Sequence, residues 1–311
     1  MLRFIAIRVL QFPLILAIIY LVTFLLVWVA PGDPFTRTDK KIDPAVIAAM
    51  KEQMHASHWY TFLGYYPLLM MKGDFGPSFT YGEWPVSKII GDALPISVTL
   101  GLYALVVATA AGVGIGTMAA VWRGGPFDWF SLSVALVGIS LPSFVTASIL
   151  FAAFSVNLHW FPIGHWGSLR DLTLPGLALS LAPMAYIARL TRVAMIDVLS
   201  SDYIRTARAK GLSQSAVIWK HALRNALLPV LSFLGPAAAA TLTGSFIVEK
   251  VFNIPGLGAH FVNSVLNRDQ TLILGAVMVY SVFLLALNLL VDVGYAFVDP
   301  RIDVTAKGQK A

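Results

Sequence analysis

The sequence has no cysteine and little charge. None of its 311 residues is cysteine, which excludes disulfides, thiolate metal sites and a cysteine nucleophile. Aspartate, glutamate, lysine and arginine make up 12% of the chain, and hydrophobic residues make up 58%. Soluble domains carry about 25% charged and roughly 45–50% apolar residues. The composition therefore excludes a water-soluble core and predicts an integral membrane protein.

Motifs for energy conversion and catalysis are also lacking. The sequence has no glycine-rich phosphate loop of the Walker type, so it cannot bind ATP by that route. His55 and His58 are three residues apart, but two ligands do not complete a metal site. No carboxylate lies in the middle of an apolar run, where an ion-coupled carrier would need one. The lack of such a carboxylate argues against a stand-alone secondary transporter of a small solute, which is the alternative function. We expect no catalytic, cofactor-binding or metal site in this chain.

Long apolar runs dominate what is present. A spanning helix needs about 20 mostly apolar residues, and six runs meet that length: 9–30, 94–121, 129–156, 172–195, 226–248 and 271–298. The first is about twice as long as the 7–15-residue apolar region of a signal peptide, so we expect an uncleaved helix. The sequence predicts an all-α polytopic membrane protein, with six transmembrane helices in one domain over 1–311.

A long polar segment, 31–93, follows the first run and is predicted to lie outside the membrane. Within it, 43–54 and 59–71 have the composition of short helices. The sequence Gly-Asp-Phe-Gly-Pro-Ser at 73–78 is typical of a turn.

Basic residues indicate the orientation of the chain. The segments on the side of the N-terminus carry 13 basic and 5 acidic residues, and the opposite segments carry 9 and 10. Short cytoplasmic loops are enriched in lysine and arginine, so both termini are predicted to be cytoplasmic. The net charge of +6 is thereby explained by topology, and we expect no nucleic-acid partner.

The polar loop between the fourth and fifth runs, 200–225, is predicted to form two short cytoplasmic helices. Ser200 or Ser201 can cap the first helix, and Asp202 suits the positive end of its dipole. Gly211 fits the position after its last turn, and Ser213 can cap a second helix. Such a small basic helix could dock into a groove of another protein or rest on anionic lipid, and the residues favour neither.

The same loop resembles the cytoplasmic signature of binding-protein-dependent ATP-binding-cassette importers, which has Glu-Ala-Ala, then glycine after three residues, then Leu-Pro. Ala207 and Gly211 occupy the second alanine and the glycine, whereas Arg205 and Thr206 replace the Glu and the first Ala. Leu-Pro follows at 228–229. The segments DYIRTARAKG (202–211) and HALRNA (221–226) resemble the oligopeptide, dipeptide and nickel permease subfamily.

Four further stretches support that resemblance: APGDP at 30–34, GDFG at 73–76, VFNIPGLG at 251–258 and DPR at 299–301. Their order and the long first outer segment resemble the B-type subunit of such importers. Residues 51–70 depart from the usual sequence pattern of the family.

The resemblance implies a complex in a bacterial inner membrane. This chain would pair with a second permease subunit, two cytoplasmic ATPase subunits that bind ATP and magnesium, and an extracytoplasmic substrate-binding protein. The resemblance favours di- or oligopeptide import most, although the same permease motifs are compatible with nickel, glutathione or a sugar as substrate. The residues that it assigns to ATPase coupling are Asp202, Tyr203, Arg205, Thr206, Ala207, Arg208, Ala209, Lys210, Gly211 and His221.

Overall fold

The computed structural model describes residues 2–30, 49, 52, 54–55, 58–81 and 84–298. Within these residues the fold is all-α, and the one β-type pairing is an isolated bridge between Pro77 and Pro85. The predicted motifs at 299–301 and most of 30–34, and most of the predicted helix 43–54, lie outside the described residues.

The described part of the chain forms eleven helical segments. They are α1 (Leu2–Val29), α2 (Trp59–Met71), α3 (Val86–Val121), α4 (Pro126–Ser140), α5 (Ser143–Leu150, continued by a π-helix at Phe151–Asn157), α6 (Leu169–Leu199), α7 (Asp202–Ala209), α8 (Gln214–Ala216, continued by a π-helix at Val217–Ala222 and by Leu223–Ala226), α9 (Leu228–Phe252), α10 (Leu257–Asn267) and α11 (Gln270–Val298).

Five of these helices are long and apolar enough to cross a membrane: α1, α3, α6, α9 and α11. A sixth span is present if α4 and α5 are counted together as one broken helix. This confirms an all-α polytopic membrane protein. The predicted short helix at 59–71 is confirmed by α2, while α10 was not predicted.

The third apolar run does not form the single helix predicted at 129–156. It bends by 105° between α4 and α5, at Leu141 and Pro142. Proline has no backbone N–H to donate and disfavours helical geometry in the residue before it. Leu141 accordingly has ψ 124°, an extended conformation. The continuous apolar composition concealed this break.

Helix α6 lies at the centre of the bundle and α1 at its edge. In the most apolar stretch of each helix, 67% of α6 is buried but only 11% of α1. Glycines allow α3 to approach α6 closely, because a methyl group at Gly116 would lie 2.3 Å from the carbonyl oxygen of Ala188. Small residues serve this purpose where lipid gives helices no hydrophobic reason to associate.

The alternation of the helices defines two sides of the molecule. The loop side carries the α3–α4 turn and the segment between α6 and α9, and the distal side carries α2 and α10. On the distal side the fully buried Asp269 accepts hydrogen bonds from the Ser78 hydroxyl (2.5 Å) and the Thr80 N–H (2.9 Å). It thereby joins the start of α11 to a segment about 190 residues earlier.

A second buried carboxyl group also lies on the distal side. Glu249, near the end of α9, has no exposed surface. Its Oε2 accepts hydrogen bonds from the backbone N–H groups of Gly258 (2.8 Å) and Ala259 (3.3 Å) at the start of α10. These N–H groups have no partner within their own helix, so Glu249 caps α10 from another element.

Candidate functional site

The loop between α6 and α9 begins with the short helix α7. Ser201 occupies its N-cap position with extended backbone, and Asp202 and Arg208 lie in its first and last turns, where their charges oppose the helix dipole. The Ser201 hydroxyl donates to the Val198 carbonyl oxygen at 2.6 Å instead of accepting from the helix. The predicted cap position is therefore confirmed for Ser201, but its predicted side-chain bond is absent.

Gly211 ends α7 as predicted, with a left-handed φ of +76°. Its N–H donates to the Arg208 carbonyl (3.0 Å), and the Leu212 N–H donates to that of Ala207 (3.4 Å). These two bonds form a Schellman motif. A side chain at 211 would meet open space, so backbone conformation and not crowding favours glycine here.

Helix α8 then runs back towards the bundle. The Ser213 hydroxyl accepts the Ala216 N–H at 3.3 Å, which confirms the predicted second cap. The helix widens into a π-helical stretch at Val217–Ala222. Such stretches are rare and frequently occur at functional sites.

An apolar cluster fixes both short helices to the bundle. We call it the loop cluster; its buried members are Ala120, Met195, Ile204, Ala207, Val217, Ile218, Ala222 and Ala226. They come from α3, α6, α7 and α8, so the loop packs on two spanning helices at once. A hydrogen bond of 2.8 Å from the Asn225 amide to the Tyr203 hydroxyl also joins α8 to α7.

The residues predicted for ATPase coupling divide between the surface and the interior. Ala207 is buried in the loop cluster, so its side chain holds α7 on the bundle. His221 is partly buried on α8. The others are exposed on or just after α7: Asp202, Tyr203, Arg205, Thr206, Arg208, Ala209, Lys210 and Gly211. This exposed surface carries three basic residues and one acidic residue.

A buried ion pair, which the sequence did not reveal, lies in the bundle on the loop side. Arg192 of α6 holds Asp128 of α4 through two bonds, Nε to Oδ1 at 2.5 Å and Nη2 to Oδ2 at 2.8 Å. The Gly124 N–H donates to the same carboxyl group at 2.9 Å. The pair therefore ties the α3–α4 turn to the part of α6 that leads into the loop.

Two kinds of comparison place this architecture among known proteins. A family model described as "Binding-protein-dependent transport system inner membrane component" matches residues 112–304. A solved structure titled "Crystal structure of an amino acid ABC transporter with histidines" matches with a TM-score of 0.53 and 18% identity, over 68% of this chain and 94% of that one. At that identity the match shows a shared fold alone.

Curated relatives are similar over almost the whole chain. The dipeptide transport system permease protein DppB of Bacillus subtilis is 43% identical over 292 residues, 94% of either chain. The oligopeptide transport system permease proteins OppB of Haemophilus influenzae and Escherichia coli are 42% and 40% identical, each over 97% of this chain and 99% of the relative. The chain therefore belongs to the family of binding-protein-dependent transport system inner membrane components, as its loop signature predicted.

Proposed function

We propose that this chain forms one half of the translocation path of an ATP-driven importer for di- or oligopeptides in a bacterial inner membrane. The observation that carries the proposal is α7, an exposed basic helix fixed by the loop cluster to two spanning helices. The names of the relatives support a peptide as substrate. The excess of basic residues on the loop side supports a cytoplasmic loop and cytoplasmic termini.

In this proposal the exposed face of α7 sits in a groove of a partner ATPase, which binds ATP and magnesium. Arg205, Arg208 and Lys210 would meet acidic groups there. Because protein interiors are close-packed and transmit strain, a displacement of α7 would pass through Ile204 and Ala207 to Met195 of α6. A second permease subunit would complete the path, and an extracytoplasmic binding protein would deliver the peptide.

The test is affinity purification of the chain from its own membranes in mild detergent, with mass spectrometry of what accompanies it. We expect a second permease and one or two ATPases. Recovery of the chain alone, or as a homo-oligomer without an ATPase, would contradict the proposal and favour a self-sufficient carrier.

A charge reversal distinguishes docking from contact with lipid. The variant R205E should lower ATPase recovery at least about tenfold, because like charges across an interface cost several kcal/mol, while the second permease is retained. The matched control is K72E, the same charge change at an exposed residue just after α2 on the distal side. If R205E and K72E retain equal amounts of ATPase, α7 is not the docking helix.

A further inference from the structure

A cavity of about 410 Å³ lies between α6 and α9, towards the loop side. Its lining includes Tyr186, Arg189, Val193 and Asp197 of α6 and Pro229 of α9. Sites for small ligands occupy about 300–1,000 Å³ and combine apolar walls with a few polar groups. This cavity meets both criteria, and none of its lining residues belongs to α7 or α8.

Arg189 is the unexplained residue of this cavity. Arg189 and Asp197 lie in the loop-side part of α6, where the charged side chains of a spanning helix can reach the membrane interface or line a substrate path. The neighbouring Arg192 is accounted for by its ion pair with Asp128. Within the part of the chain that the structure describes, neither Arg189 nor Asp197 has an ion-pair partner, and both side chains are exposed.

The exposed face of α1 shows what a lipid-facing surface of this protein looks like. Its exposed side chains are mostly large and apolar, among them Leu10 at 81% and Leu14 at 64%. The cavity face of α6 instead alternates apolar and charged residues. Such a surface is suited to a polar occupant and not to acyl chains.

We propose that this cavity is a binding site on the translocation path that holds a short peptide by its two ends, an inference that rests on the proposed function. Arg189 binds the terminal carboxylate, since a guanidinium matches a carboxylate with two parallel hydrogen bonds. Asp197 accepts hydrogen bonds from the terminal ammonium group. Recognition of the ends leaves the side chains free, so one site accepts peptides of different sequence.

The spacing of the two charges fits this ligand. Arg189 and Asp197 are eight residues apart on α6, or about 12 Å along the helix axis. A peptide of four residues extends over about 14 Å at most, whereas a dipeptide reaches only about 7 Å, so a peptide that binds both charges at once has about four residues. Tyr186, which stacks on Phe233 of α9 with ring centroids 5.0 Å apart, offers an apolar wall for the side chains of the peptide.

The absence of native cysteine makes a direct test practical. In the reconstituted complex, a single cysteine is introduced in the cavity as V193C, or in the lipid-facing surface of α1 as L14C, which serves as the control. A charged, membrane-impermeant thiosulfonate reagent is applied from the loop side, and labelling is measured on this chain after separation. We expect labelling of V193C but not of L14C, and protection of V193C by a transported tetrapeptide.

A second arm asks which end each charge recognises. Uptake of one tetrapeptide is compared with uptake of its C-amidated and N-acetylated forms, always with the same binding protein. We expect R189Q to lower uptake of the free tetrapeptide about tenfold but that of the C-amidated form much less. D197N should likewise lower uptake of the free peptide but lower uptake of the N-acetylated form much less. A purely structural role would lower uptake of all three peptides equally.

The outcomes separate the two proposals. If the unmodified complex performs no ATP-dependent peptide uptake, the proposed function fails and this inference fails with it. If the complex transports peptides but V193C is unlabelled or unprotected, lipid or the partner permease covers the cavity and the inference alone is overturned. Unchanged end-group preference in both R189Q and D197N overturns it equally.

Discussion

The two sides of the molecule are held together by different forces. On the distal side, the buried carboxyl group of Glu249 accepts hydrogen bonds from the start of the next helix, and that of Asp269 accepts them from a segment about 190 residues earlier. On the loop side, α7 and α8 are held mainly by the apolar loop cluster, and their charged groups face outwards. The distal side contains buried carboxyl groups that join its segments, whereas the charged groups of α7 and α8 are exposed and available to a partner.

This difference has energetic consequences. A buried donor that loses its acceptor carries the full cost of desolvation, whereas an exposed donor turns to water. Polar substitutions should therefore destabilise the distal side strongly and the α7 surface weakly.

The largest effect is expected for Glu249→Ala. The N–H groups of Gly258 and Ala259 would lose their shared acceptor in a buried site, at a cost of about 2–4 kcal/mol. The melting temperature of the purified chain in detergent, followed by light scattering, should fall by several degrees. Glu249→Gln, which keeps one acceptor oxygen, should lie between the alanine variant and the wild type. Equal melting temperatures for all three would show that the network contributes little.

Replacement of Gly211 should act on coupling more than on folding. A leucine there must adopt a φ near +76°, which costs about 1–2 kcal/mol and favours another exit from α7. We expect G211L to insert and to retain the second permease, but to lose most ATP-driven uptake. G211N is the matched control, because asparagine tolerates this conformation. Full transport by G211L would contradict a role for the end of α7 in coupling.

The features that sequence predicted well depend on neighbouring residues. The apolar runs predicted the spanning helices. Two single residues with a local conformational preference, Gly211 and Ser213, predicted the C-terminal end of α7 and the start of α8. Helix α3 begins eight residues before its predicted start at 94, because polar residues such as Lys88 and Asp92 interrupt the apolar count without interrupting the helix. Hydropathy locates the membrane-embedded part of a helix and not its ends.

The features that sequence missed depend on residues brought together by folding. Asp128 and Arg192 are 64 positions apart, and their pairing leaves no local pattern. Glu249 accepts hydrogen bonds from two backbone N–H groups at the start of α10, and a backbone N–H group leaves no pattern in the sequence. Two glycines are a partial signal, since a methyl group at Gly256 or Gly258 would lie 2.4 or 2.8 Å from Oε2 of Glu249.

The smallest effect is expected for the hydrogen bond between Tyr203 and Asn225. Both residues are exposed, so water can replace either partner, and Tyr203→Phe should change the free energy of unfolding by less than about 0.5 kcal/mol. Asn225→Ala removes the same bond from the other helix, and a double-mutant cycle measures the coupling between them. A coupling near zero is expected, because the loop cluster already fixes α7 against α8. A coupling above about 1 kcal/mol would mean that polar contacts stabilise α7 and α8 as they do the distal side, and the contrast between these two regions would not hold.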